Sequence, residues 1–388
     1  MKEIIINEMN DAKDILVVQN GILVERYIDK DEKERSEGDI YLGSVQNILP
    51  GMNACFVDIG KEKNTFMHLK DILPKIDITN NKDVIANNSN IKDVVKTKDK
   101  ILVQIKRDKT NNKGARVSTH ITLPGRYVVF MPNIKFNTIS QKIESKEERE
   151  RLLNIVKDIL PDNAGIIVRT SAKGKNEKEI KKDLEKLIEK WRKINSFNKE
   201  APVLIEKSSS LIEKLLIDLV DQGVKKISVN NKTLHDEINK ILIELEETAI
   251  ENIYVEDILD VYDLKEQLEK LDNRKVWLPC GGFITIDRTE ALTAIDINSG
   301  KYTGSKNLED TVFTVNKEAT IEIARQLRLR DIGGIVIIDY IDMIENTNKD
   351  KIVSIFENEL KNDRSKTQIL GFTKLDLLEM TRKHMVAE

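Results

Sequence analysis

An α+β multidomain fold follows from three features of the sequence. Short apolar segments separated by Gly, Asn and Pro fill residues 1–119. Helix-period and strand-like segments alternate between residues 146 and 255. A last cluster of strand-like segments, interrupted by one long helix, runs from residue 276 to residue 339. The spacing of the first group suggests a small barrel, and the strand–helix–strand order of the last suggests a mixed sheet. At 388 residues the chain has room for several units of roughly 100–200 residues each.

Glu3–Ile6, Asp14–Gln19 and Ile22–Ile28 read as strands, and Asn20-Gly21 between the last two is a two-residue hairpin signal. Tyr41–Val45, Cys55–Ile59, Thr65–Leu69 and Ile101–Lys106 follow as short strands, with the polar stretch Asn80–Asn90 as a long loop. Gly125–Pro132 is a further apolar strand. Lys146–Ile159 and Glu177–Ile194 read as helices. In the second, Ile180, Leu184, Leu187, Ile188 and Trp191 share one face at helical spacing. Gly165–Thr170, between the two, is a strand of the buried type. Next come a helix at Ser208–Leu219, a strand at Lys226–Val229, a helix at Leu234–Leu245 and a strand at Asn252–Val255.

In the last third, Val276–Pro279, Phe283–Asp287 and Ala291–Ile297 make consecutive strands, with tight turns at Gly281-Gly282 and Arg288–Glu290. The helix from Asn307 to Leu329 ends among Arg328 and Arg330, cations that suit a helix C-terminus. Gly333-Gly334 stops it, and the apolar run Ile335–Ile338 leads into Asp339.

Hydrophobic residues at 40% and charged residues at 33% fit a soluble globular protein with a heavily charged surface. The net charge of −3 does not announce a nucleic-acid binder, so any basic surface must be local. Cys55 and Cys280 stand far apart with no partner at metal-ligand spacing, which excludes a zinc site and a disulfide framework built from them. No apolar run is long enough to span a membrane. Met1–Asn7 alternates like a strand and lacks the pattern of a signal peptide, so a cytoplasmic location follows by elimination.

Three places carry candidate chemistry. In Ala294–Asn298, strand alternation puts Asp296 and Asn298 on one face while Ile295 and Ile297 pack on the other. Asp339 ends a buried strand, where ligands and catalytic groups of α/β sheets gather. Two carboxylates converging there would bind a hard divalent cation such as Mg2+, which takes one or two carboxylates and keeps several waters. The alternative is that these aspartates are caps or turn-formers, and Asp287 and Asp342 compete as carboxylates of the same sort.

Residues 98–116 hold Lys98, Lys100, Lys106, Arg107, Lys109, Lys113 and Arg116 against Asp99 and Asp108, and the strands before them carry Phe56 and Phe66. A small barrel with exposed aromatics and a basic rim grips single strands by stacking bases and tracking phosphates. Against this stands a reading of both Phe as core and of the charges as loop solvation. Arg169-Thr170 follows an apolar strand. An arginine fork suits a phosphate, and a neighbouring hydroxyl adds a bond, whereas the plainer reading pairs Arg169 with a local Glu. Tyr127, Trp191 and Trp277 read as packing residues. Each His is isolated, and no GxxxxGK[ST], placed GxGxxG or HExxH motif occurs.

Residues 277–300, WLPCGGFITIDRTEALTAIDINSG, and 324–343, ARQLRLRDIGGIVIIDYIDM, resemble the signature of the ribonuclease E/G family. Weaker similarity extends back to residue 1 and on to Leu377–Arg382. The resemblance implies a magnesium-dependent endoribonuclease that cuts single-stranded RNA in processing and decay. It further implies products with a 5′-phosphate and a 3′-hydroxyl, and a preference for 5′-monophosphorylated ends. Metal binding would fall to Asp296 and Asp339, with Asn298 as the helper in catalysis. RNA contacts would be Phe56, Phe66 and Lys113, on an S1-type OB-fold barrel at 36–119. A 5′-sensor region at 120–202 would use Arg169 and Thr170 with backbone near Gly125 and Val129. A ribonuclease H-like domain without catalytic function would be split between 1–35 and 203–272, and a DNase I-like α/β domain would cover 273–388.

The sequence also departs from the family pattern. Members continue into a CPxCxGxG zinc motif and a small dimerisation domain, neither of which occurs before Glu388, and Cys280 stands where the family often has serine. The resemblance implies a homo-oligomer, yet zinc-linked dimerisation has no ligands here. The rival to the enzyme is therefore an RNA-binding module or regulatory scaffold without turnover.

Overall fold

The computed structural model describes residues 1–9, 12–29, 36–72, 76, 77, 82, 83, 90–109, 114–302 and 307–385. The chain forms two compact units, Met1–Asp31 with Gln222–Glu388, and Glu32–Asp221. It is a mixed α+β protein in which one unit contains a closed barrel.

The first unit holds two sheets. In one, five strands run in the order Glu251–Tyr254, Val224–Val229, Lys2–Met9, Ala12–Gln19, Ile22–Asp29. Ile4, Ile5 and Ile6 are all buried, so this strand is covered on both faces, as an unbroken apolar run requires. The turn at Asn20-Gly21 has φ of 53° and 82°, the left-handed pair that a tight hairpin needs and that Asn-Gly tolerates.

The second sheet of this unit has six strands, ordered Lys275–Trp277, Phe283–Arg288, Leu292–Asn298, Gly334–Asp339, Leu377–Arg382, Thr367–Phe372. Helices Leu308–Leu329 and Asn346–Leu360 cover one face. There Ile284, Ile295, Ile297, Val336, Ile338 and Met380 pack against Val315, Ala319, Ile323, Ile352 and Phe356. Each such apolar side chain contributes roughly 1.5–3 kcal/mol by leaving water. The alternate residues of the same strands, among them Ala294, Asp296 and Asp339, are exposed on the opposite face.

In the second unit, Ile40–Leu49, Ala54–Asp58, Thr65–His68, Arg116–Ser118 and Lys100–Arg107 pair in succession, and Ile40–Leu49 also pairs with Lys100–Arg107. That last pairing closes an OB-like barrel of five strands, with Val203–Glu206 added at its side. Val45, Cys55, Val57, Met67, Val103, Ile105 and Val117 fill its interior. A four-stranded sheet, ordered Leu123–Pro124, Val128–Met131, Gly165–Val168, Asn137–Ile139, is covered by helices Lys146–Lys157 and Glu177–Asn195.

Expected elements recur with shifted ends. The helix expected from Ser208 starts at Leu211, because the Ser210 hydroxyl accepts the Glu213 N–H at 3.1 Å and so caps it. Most of the loop expected at Asn80–Asn90 lies outside the described residues; Lys82–Asp83 within it pairs with Ile76–Asp77. Sequence reasoning missed the helix Asn346–Leu360 and the hairpin Thr367–Phe372 with Leu377–Arg382. The helix left a signal in Ile352, Phe356 and Leu360 at four-residue spacing. The hairpin did not, since a register shift between Ile369 and Gly371 breaks the alternation. No helix among the described residues is long and apolar enough to cross a membrane.

Phe356 has no exposed surface and sits between the covering helices and the sheet. Phe356→Ala should lower stability by about 3–5 kcal/mol in urea unfolding, whereas Ile344→Ala, at a residue 85% exposed, should stay within about 0.5 kcal/mol. Equal effects would contradict this packing.

Candidate active site

The strands Leu292–Asn298 and Gly334–Asp339 run parallel, with Asp296 directly opposite Asp339. Thr293, Ile295 and Ile297 are buried on one strand, and Val336 and Ile338 on the other. The pleat therefore turns Asp296 and Asp339 to the exposed face, one strand spacing of about 4.8 Å apart. Asn298 shares that face, and its Nδ2 donates to Asp296 Oδ2 at 2.6 Å, which fixes the carboxylate's rotation.

The end of the Asp339 strand is pinned from the helix side. Buried Asn316 donates from Nδ2 to the Ile341 carbonyl at 2.8 Å and accepts the Ile341 N–H at 3.2 Å. The Thr320 and Tyr340 hydroxyls meet at 2.9 Å. Two hydrogen-bonded anchors thus follow Asp339 directly in sequence, and neither residue pattern points to them.

Partial burial, and then the charges of Asp296 and Asp342, push the Asp339 carboxyl above its ordinary pKa. Among the described residues, no Lys or Arg forms an ion pair with Asp296 or Asp339. Asp287, the competing carboxylate on the neighbouring strand, is already held by Arg274 through contacts of 2.5 and 2.6 Å. Asp342 is exposed beyond the strand end. The described residues form no cluster of three or more His, Cys, Asp or Glu side chains placed for a metal. Two facing carboxylates with no ion-pair partner among the described residues suit a hard cation that keeps most of its water, so the residues present fit Mg2+.

In the other unit, Phe56 and Phe66 face each other across neighbouring barrel strands, 6.0 Å apart and edge to face at 72°. Both are half-buried on the outer surface, while Cys55, Val57 and Met67 point into the core. Arg116 lies opposite Phe66 in register and is tied to Asp71 at 2.8 Å. Burial lowers the Lys106 ammonium to about 8, and it donates to Gln104 Oε1 at 2.7 Å, so it is no freely solvated loop charge. Lys113 lies outside the described residues.

Arg169 stands at the end of the strand Gly165–Val168. Its Nη1 donates to the Gly125 carbonyl at 2.8 Å and its Nη2 pairs with Asp218, so the partner is an aspartate, not a local Glu. The Thr170 and Ser140 hydroxyls are 2.8 Å apart. Val129 sits in the strand beside, opposite Ile167. A Cβ at position 125 would come within 2.6 Å of the Asp183 carboxylate, which itself accepts the N–H groups of Arg126, Tyr127 and Val128, so only glycine fits there. Arg126 and Lys175 both bind Asp221 at 2.8 Å.

One packing expectation fails. Tyr127 is buried and Trp191 packs against the core, but Trp277 is 59% exposed. Its neighbours Val276 and Leu278 turn inward, which sends Lys275 and Trp277 outward on a strand at the sheet's edge. The alternation of Lys275, Val276, Trp277 and Leu278 was the signal available for this.

Residues 122–385 match the model of the family described as Ribonuclease E/G family. Ribonuclease G of Escherichia coli (strain K12) and of Salmonella typhimurium (strain SL1344) are each 37% identical over 388 residues, spanning 98% of this chain and 79% of theirs. Ribonuclease E of Synechocystis sp. is 36% identical over 356 residues, spanning 89% of this chain and 52% of its own length. The chain belongs to the ribonuclease E/G family.

Proposed function

We propose that this endoribonuclease hydrolyses internal phosphodiester bonds of single-stranded RNA at the Asp296–Asp339 pair, with Mg2+ held by the two carboxylates. The observation that carries the reading is the pair itself: two carboxylates opposite each other in parallel register, exposed, and without a cationic partner among the described residues. When bound, the cation supplies the charge that activates a water and offsets the anionic phosphodiester. Asn298 holds one Asp296 oxygen by hydrogen bonding and so presents the other. The Asn316 and Tyr340 anchors fix the backbone from which Asp339 projects. By the family reading, the cut leaves a 5′-phosphate and a 3′-hydroxyl.

The remaining assignments belong to the same reading. Phe56 and Phe66 stack bases, supported by their outward position on the barrel. Arg169 and Thr170, beside Gly125 and Val129, receive a 5′-monophosphate in exchange for the present partners Asp218 and Ser140. The five-stranded sheet of the first unit is the ribonuclease H-like part, the six-stranded sheet the DNase I-like part, and the protein works as a homo-oligomer in the cytoplasm.

Asp296→Asn or Asp339→Asn should abolish cleavage of a 5′-monophosphorylated oligonucleotide in Mg2+ while leaving RNA binding intact. Asn298→Ala should weaken activity or metal affinity about 10- to 100-fold by freeing the Asp296 carboxylate. A variant of either aspartate that cuts at the parent's rate would remove the catalytic assignment.

The raised Asp339 pKa has a definite sign. The folded state binds this proton more tightly than the unfolded one, so its contribution is present below the unfolded pKa of about 4 and is lost as pH rises through the folded value. At neutral pH without divalent cations, Asp339→Asn should therefore melt at a higher temperature than the parent. In the parent, divalent-cation affinity should fall as pH drops through the raised pKa. A lower melting temperature for the variant, with unchanged circular dichroism, would contradict the repulsion.

Arg169→Ala should erase the preference for 5′-monophosphorylated over 5′-hydroxyl RNA and keep the basal rate on the latter, since the aspartate pair lies in the other unit. Matched oligonucleotides differing only at the 5′ end make the comparison. Equal loss on both would mean that Arg169 serves only its ion pair with Asp218.

A further inference from the structure

The exposed face that bears the aspartate pair also bears an aromatic pair that the core does not use. Trp277 and Phe283 lie opposite each other on the edge strand and its neighbour, ring centroids 5.3 Å apart and planes at 63°. The Lys275 ammonium sits 4.0 Å from the Trp277 ring centre and 3.4 Å from that of Phe283. Strand register links these residues to the catalytic row. Trp277, Phe283 and Asn298 form one cross-strand line; Lys275, Thr285, Asp296 and Asp339 form the next. With strands about 4.8 Å apart, the rings begin one strand from Asn298 and end two strands away. That is the reach of one nucleotide from a phosphodiester at the carboxylates.

A tryptophan 59% exposed beside a second ring and an ammonium offers a ready-made aromatic platform on the face of the aspartate pair. An indole face stacks on any nucleobase, and an ammonium beside it meets the phosphate of the same nucleotide. We propose that Trp277 and Phe283 form a base-stacking subsite for the nucleotide adjoining the scissile phosphate, with Lys275 as its phosphate-facing cation. The subsite reads the face of the base, not its hydrogen-bonding edge, so it confers affinity and register without strict sequence choice. This rests on the catalytic reading above.

The chain has two tryptophans, so Trp191→Phe leaves Trp277 as the sole indole emitter. Titrating that variant with a short single-stranded oligoadenylate in EDTA should quench its fluorescence; a duplex of the same length should not. Trp277→Ala should keep the parent's melting temperature, bind the oligonucleotide roughly 5- to 100-fold more weakly and raise KM more than it lowers kcat, while Trp277→Phe should restore most of the affinity. No quenching at saturation, or a Trp277→Ala variant that binds and cuts like the parent, would overturn the subsite while cleavage by the parent leaves the catalytic reading standing. Quenching by a parent that does not cut in Mg2+ would keep the subsite and overturn the catalytic reading.

Discussion

The parallel register between Leu292–Asn298 and Gly334–Asp339 is the constraint on which the rest of this structure depends. Side chains alternate along each strand, so one register decision assigns every residue to a face. Ile295, Ile297, Val336 and Ile338 go beneath the helices and Asp296, Asn298 and Asp339 go to the exposed side. A slip of the second strand by one residue would bury Asp339 and expose Val336 and Ile338. Two unit charges about 4 Å apart repel by about 1 kcal/mol in water and about 4 kcal/mol when partly shielded. Ile295 and Ile338, fully buried on the two strands themselves, each contribute roughly 1.5–3 kcal/mol and together offset that repulsion. The core therefore enforces a juxtaposition that the carboxylates alone would oppose.

Parallel strands need a long crossover, and the helix Leu308–Leu329 supplies it. The same helix covers the sheet with Val315, Ala319 and Ile323, sends Leu329 into the core of the neighbouring five-stranded sheet, and sends Asn316 and Thr320 to the end of the Asp339 strand. Connection, core and site positioning are thus carried by one element. An Asn with no exposed surface would be a liability unless both its amide ends were satisfied, and the Ile341 backbone satisfies both.

The sequence made this arrangement legible where periodicity was strict and lost it where tertiary pairing decided. Asp296 and Asn298 could be assigned to one face from alternation alone, and the glycine pairs marked the turns. The identity of the Asp296 partner needed the family resemblance, because nothing local in Ile337–Asp339 says which strand lies alongside. The Asp218 partner of Arg169 stands 49 positions away and could not be read from neighbouring residues. Residue type points Trp277 to the core, since aromatics are usually packed, but alternation with Val276 and Leu278 sends it to the face that the helices leave uncovered.

Elsewhere in this unit, several carboxylates on or under the sheets are matched with cations. Asp287 pairs with Arg274, Asp363 with Arg382, and Glu25 with Arg364. The first of these lies on the same exposed face as Asp296, one strand away, so a cation within reach was available and is spent on Asp287. Asp296 and Asp339, by contrast, have no ion-pair partner among the described residues, and under the proposed function that charge is met by the cation. A divalent cation offsets two carboxylates at once, and it leaves coordination positions for water and phosphate that an arginine would have closed. The same logic applies to the rings beside it: Lys275 is held over Trp277 and Phe283 by cation–π attraction, with no acid in ion-pair contact among the described residues, and under the proposed subsite it meets an approaching phosphate.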